Sequence, residues 1–211
     1  MDSFYLKILA CVLMLIDHSA IVYFHDNVFL RIIGRLSFPL FAYLLAINFN
    51  RTSDKRNYFI RLLAFAFISQ IPFQLLFNLH TLNIFFTLCF GFSACYFWSN
   101  INRSFKSLKN WFNILCFLLV LFFSFTPIDY SIYGVLVILF FYIFKTNLKK
   151  QFLSLLFLNI LFYNIMPLQF FSILAFIPLY FYNNNKGISL KYAFYSFYPV
   201  HLFLLLSFKH L

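Results

Sequence analysis

The chain has 211 residues, 64% of them hydrophobic and 25% aromatic, with a mean hydropathy of +0.87 and a formal charge of +11. That apolar share exceeds the roughly 45–50% of soluble domains and excludes a water-soluble core. The 16 basic residues stand in short clusters between apolar blocks and form no basic domain, which argues against nucleic acid as a partner.

The apolar blocks are long and lack the alternation of barrel strands, so the expected class is all-α, a polytopic integral membrane helix bundle. At roughly 20 apolar residues per crossing, about nine transmembrane helices are predicted, over 4–24, 28–49, 58–77, 83–98, 111–125, 132–144, 152–165, 168–182 and 192–208. The first block is long, lacks a small-residue cleavage site and carries Asp17-His18, so it reads as a span and not a signal peptide. The fifth to eighth are short. Cys11, Cys89, Cys95 and Cys116 all lie in apolar blocks and read as packing residues.

Basic residues fall in alternate connections: Arg51, Lys55, Arg56 and Arg61; Arg103, Lys106 and Lys109; Lys145, Lys149 and Lys150; Lys186 and Lys191. With Lys7 these are 13 of the 16, and the positive-inside rule makes their side cytoplasmic, with the N-terminus inside. The whole of 1–211 is expected to be one transmembrane domain. No internal repeat suggests an inverted-repeat transporter.

Ionisable groups at bilayer depth are costly and mark functional sites. Asp17, Arg35 and His201 each lie seven residues from the outer end of their span, or roughly 10 Å deep at ~1.5 Å per residue. The common depth points to one site. Adjacent helical residues diverge by about 100°, so one of Asp17 and His18 faces Arg35; a carboxylate there offsets the guanidinium and leaves His18 as acid or base. The plainer readings are a structural Asp17–Arg35 pair and a His201 that only hydrogen-bonds a neighbouring helix. Arg31 is close enough to the surface to snorkel. His25, His80 and His210 are expected at the interface, and Tyr195 and Tyr198, spaced i, i+3, read as packing or belt residues. The chain has no Glu and no paired ligand spacing, so no metal is expected.

The segments LKILACVLMLIDHSAIVYF, LRIIGRLSFPLFAYLLAINF and YFIRLLAFAFISQIPFQLLF, with NIFFTLCFG, DYSIYGVL and KYAFYSFYPVHLFLL, resemble the TraX family, membrane proteins implicated in acetylating the amino terminus of conjugative pilin. That family is similar to larger membrane acyltransferases, which move acetyl groups from cytoplasmic acetyl-CoA to acceptors across the bilayer, several with a first-helix histidine. The resemblance implies a multi-pass protein of the bacterial inner membrane, acetyl-CoA as donor and a pilin-like acceptor. It makes His18, Asp17, Arg35 after Gly34, and His201 after Tyr198-Pro199 the catalytic set. Arg61 is the matching third-helix arginine. Asp129, Tyr133, Tyr195 and Tyr198, in the matched later segments, are the expected substrate-side residues. One departure is SQIPFQ, where an acid is expected at one or both of the positions held by Gln70 and Gln74.

In the chemistry so implied, His18 takes the acceptor's proton, Arg35 stabilises the oxyanion, and Arg61, Arg56 and Lys55 meet the CoA phosphates. Two rivals remain open: a proton-coupled transporter relaying through Asp17, Arg35 and His201, and a non-catalytic assembly factor binding pilin helices.

Overall fold

The computed structural model describes residues 1–101 and 107–209, so Arg103, Lys106 and His210 lie outside the described residues. In chain order the helices are α1 (Ser3–Tyr23), α2 (Val28–Gly34), α3 (Ser37–Arg51), α4 (Lys55–Phe77), α5 (Ile84–Asn100), α6 (Leu108–Phe123), α7 (Ser131–Ile143) and α8 (Leu148–Leu161). A 3-10 helix (Pro167–Ala175) then runs into α9 (Phe176–Tyr180), and α10 (Lys191–Phe208) closes the described chain. The architecture is all-helical; among the described residues the only β feature is an isolated bridge between Leu82 and Ile128.

Short polar side chains set the helix starts. Asp2, Asn27, Asp54, Asn83 and Asn147 each accept a hydrogen bond from a first-turn amide of the helix that follows. These amides have no partner inside their own helix, so the caps satisfy groups that would otherwise be unpaired. Asn78, in the left-handed region, ends α4.

Nine helical segments follow the predicted order among the described residues, with two revisions. The second span is broken at Arg35–Leu36 into α2 and α3, and the eighth is mostly a tight 3-10 turn. Three segments, Ser3–Tyr23, Val28–Arg51 and Lys55–Phe77, are long and apolar enough to cross a membrane outright. Helix α7, with 13 residues, rises only about 20 Å against a hydrocarbon core of ~30 Å. It is nonetheless well enclosed: Tyr133, Val135, Ile138 and Phe141 are buried where it packs on α3, α5 and α8. Gly134 permits this approach, since a Cβ there would stand 2.6 Å from the Thr87 methyl.

The outer surface is apolar. On α6, Leu108, Phe112, Leu115, Phe122 and Phe123 are exposed while Asn110 and Asn113 point inward, an inversion of the soluble pattern that only a lipid solvent accommodates. Buried polar groups are tied across helices, as where the Tyr133 hydroxyl donates to Asn159 Oδ1 at 2.7 Å and Gln151 donates to the Phe141 carbonyl at 2.9 Å.

The basic connections gather at one end. Arg51 donates to the Tyr182 hydroxyl at 3.0 Å and to the Asn184 carbonyl at 2.5 Å, and Lys145 donates to Asn50 Oδ1 at 2.8 Å. The α3–α4, α7–α8 and α9–α10 connections therefore meet. At the other end Leu82 pairs with Ile128, and the Tyr23 hydroxyl donates to the Leu205 carbonyl at 2.7 Å.

Candidate functional site

Asp17 is held by a missing side chain. At Gly34 an added Cβ would lie 2.3 Å from Asp17 Cβ and 2.6 Å from its Oδ1, so only glycine lets α2 settle against this carboxylate. The same contact places Arg35 Nη2 at 2.5 Å from Asp17 Oδ2 and Arg31 Nη1 at 3.3 Å from Oδ1. Gly34→Ala should push α2 off α1 and stretch both ion pairs. A loss of about 1–3 kcal/mol, the usual cost of overpacking, is expected in a detergent unfolding titration; an unchanged midpoint would contradict the contact.

Arg31 departs from expectation. It does not snorkel free: its side chain is 16% exposed, and it bridges buried Asp17 to Asp26 at the surface, with Nε 3.1 Å from Asp26 Oδ1. Arg35 is engaged on its other side too, donating from Nη1 to the Tyr130 hydroxyl at 3.5 Å. Tyr130 and Ser131 have φ of +61° and +42°, a strained region for side chains of this kind. Stacking of the Tyr130 ring on Phe38, with centroids 4.1 Å apart, holds that geometry. The preceding residue, Asp129, is anchored through its backbone: its carbonyl accepts from Thr87 Oγ1 and its amide donates to Leu82.

His18, one residue on from Asp17, turns toward α10. Its Nδ1 lies 2.8 Å from His201 Nε2, and His201 Nδ1 lies 2.8 Å from the Phe197 carbonyl. A carbonyl can only accept, so His201 Nδ1 carries a proton and, in the neutral ring, Nε2 does not. His18 Nδ1 must then be the donor to it. In the neutral pair the remaining nitrogen, His18 Nε2, holds a lone pair and has no partner among the described residues. The ring is framed edge-on by Phe77 and Tyr198, at centroid distances of 5.1 and 6.1 Å.

Tyr198 is also part of the wall of a cavity of about 550 Å³ that opens at the basic end. Its charged lining is cationic throughout: Lys7, Arg51, Arg61, Lys186 and Lys191, with no acidic residue among the described lining. The rest of the wall includes Met14, Phe41, Ile84, Phe85 and Tyr195. Two residues of this wall carry a buried polar atom, Arg61 Nε and the Tyr198 hydroxyl, that makes no hydrogen bond among the described residues.

The structure thus brings Asp17, His18, Arg35 and His201 together and puts Arg61, Tyr195 and Tyr198 on the cavity. It leaves others elsewhere. Lys55 packs its Nζ 4.4 Å over the Phe49 ring, Arg56 is exposed, and neither lines the cavity. Tyr133 is enclosed in the α7–α8 contact, and Asp129 flanks the ion network. Gln70, at one of the two candidate positions for an acid, receives the Asn83 amide at 3.0 Å and donates to the Thr81 carbonyl at 2.8 Å, fastening the α4–α5 turn; Gln74 is exposed. Lys7, Arg51, Lys186 and Lys191 were legible only as topology signals; their convergence depends on the α9–α10 connection folding back over α1. No group of three His, Cys, Asp or Glu residues suited to a metal occurs among the described residues.

Comparison with known proteins gives three findings. A family model described as TraX protein matches residues 3–209. The chain is 29% identical over 241 residues to a probable fimbrial assembly protein FimC, serogroup H1, of Dichelobacter nodosus, covering 99% of this chain and 96% of that protein. It is 32% identical over 149 residues to the uncharacterized protein RP591 of Rickettsia prowazekii (strain Madrid E), covering 68% of this chain and 57% of that protein. No solved structure matches the chain.

Proposed function

The chain belongs to the TraX protein family, and from that premise we propose that it is a multi-pass acetyltransferase of a bacterial inner membrane, moving the acetyl group of cytoplasmic acetyl-CoA to the N-terminal amine of a pilin-like protein. The observation that carries this reading is the His18–His201 pair, which packs on Tyr198, the residue that separates it from a cation-lined cavity. A mouth with several cations and no acid suits a polyphosphorylated carrier, and a largely apolar interior suits a thin uncharged arm. From Lys191 to Tyr198 the wall descends seven residues of α10, or roughly 10 Å, so the donor enters from the basic side and its thioester stops beside the histidines.

His18 Nε2 accepts the proton of the amine as nitrogen attacks the thioester carbonyl, and the C–N bond forms. The C–S bond then breaks, and His18 returns the proton to the departing thiolate. His201 fixes the His18 tautomer through its own bond to the Phe197 carbonyl. The Asp17–Arg35–Arg31 network fixes the pitch of α1 against α2 and so the position of His18. The fimbrial-assembly description of the Dichelobacter nodosus relative favours a pilin-like acceptor.

Intact-mass measurement of the pilin subunit from cells with and without this protein tests the reading. One acetyl group, present only with the protein, is expected, and the purified protein in nanodiscs should transfer acetyl from acetyl-CoA to a peptide amine. Identical subunit masses with no transfer in vitro would leave an assembly role in its place.

A further inference from the structure

We propose that the Tyr198 hydroxyl is the hydrogen-bond donor that receives the carbonyl oxygen of the acyl group during transfer, the role the sequence suggests for Arg35. The inference rests on the transferase reading above. Arg35 is turned to the ion network: Nη2 is on Asp17, Nη1 reaches Tyr130, and its remaining Nε, though unpartnered, belongs to a residue that is not on the cavity wall. Among the described residues of the cavity wall, only Arg61, at Nε, and Tyr198, at its hydroxyl, carry a buried polar atom that makes no hydrogen bond to another described residue. Of these two residues only Tyr198 touches both histidines, with ring centroids 6.1 Å from His18 and 5.4 Å from His201.

Packing does not explain the hydroxyl. Tyr198 is 2% exposed in a helix where Phe194, Phe197 and Phe203 fill neighbouring turns, so a phenylalanine would pack as well and leave nothing unpaired. The hydroxyl is buried and makes no hydrogen bond among the described residues, so its O–H proton is uncommitted.

In the transfer step the amine lone pair becomes the new C–N bond while the carbonyl π pair moves onto oxygen. The Tyr198 O–H stabilises that charge without giving up its proton. When the carbonyl re-forms, the C–S pair leaves with sulfur and the proton held by His18 follows it. No further reactant is needed.

Full-length protein in nanodiscs, acetyl-CoA and a peptide amine provide the test. Tyr198→Phe should lower kcat by about 10²–10³-fold, the usual effect of losing one oxyanion donor, with KM for acetyl-CoA and the melting temperature within error of wild type. An active wild type with Tyr198→Phe kcat within threefold overturns the inference and leaves the transferase reading standing; a wild type that transfers nothing overturns both. Should Tyr198→Phe not fold, fluorotyrosine at 198 decides, because it keeps the shape and strengthens the donor: kcat must change, and an unchanged kcat overturns the proposal.

Discussion

Replacing His18 by alanine is expected to lower acetyl transfer by about 10²–10⁴-fold, the span usual for a lost general base, without loss of folded protein. The second half of that expectation comes from the structure: His18 is half-buried, and its removal deletes one hydrogen bond to His201 and three ring contacts but leaves the ion network of Asp17 untouched. The partner histidine gives the more discriminating comparison. If His201 acts only by accepting the His18 Nδ1 proton, then His201→Gln, which offers a side-chain carbonyl, should retain much more kcat than His201→Leu, which offers nothing. Equal losses in the two would mean that His201 does more than set a tautomer. Cells carrying His18→Ala should still build fibres if the protein also aids assembly, but from unacetylated subunits. Acetylation at the wild-type rate in His18→Ala would end the assignment.

Different parts of this arrangement were legible in the sequence to different degrees, and the difference follows the range of the interactions. Helix existence and order are local: apolar block length fixes them, and capping residues such as Asp2, Asn27 and Asn83 mark their starts. The divergence of Asp17 and His18 follows from the helical rotation between neighbours, which sends one side chain to α2 and the other to α10. Arg31 was misplaced because its distance from the span end says nothing about Asp17 and Asp26 lying within its reach. The break at Arg35–Leu36 was missed although Gly34 ends α2 and Pro39 stands in the first turn of α3, because the apolar block runs on unbroken across that step. The cavity mouth was hidden for another reason. Positive residues at the inner face satisfy the topology rule wherever they stand, so the sequence alone does not separate Lys186 and Lys191, which line the cavity, from Arg56, which is exposed.

Replacing Asp17 by alanine is expected to destabilise the fold by about 3–5 kcal/mol, the usual result of removing one partner from a buried ion pair. The magnitude is argued from what remains. Arg35 and Arg31 have side chains only 15% and 16% exposed, and both are aimed at the deleted carboxylate. Arg31 keeps Asp26, and Arg35 keeps only the neutral Tyr130 hydroxyl at 3.5 Å and the nearby charge of Asp129. The stranded charge is therefore mainly that of Arg35, and removing it as well should restore stability. In unfolding titrations in detergent, Asp17→Ala with Arg35→Met should recover a substantial part of what Asp17→Ala loses, with a coupling well outside the few tenths of a kcal/mol expected of independent sites. Activity should not recover with stability, because without the carboxylate and guanidinium nothing charged locks α2 against the turn of α1 that carries His18. Strict additivity of the two substitutions would show that the pair contributes no mutual energy, and the role given to the ion network in holding His18 would fall with it.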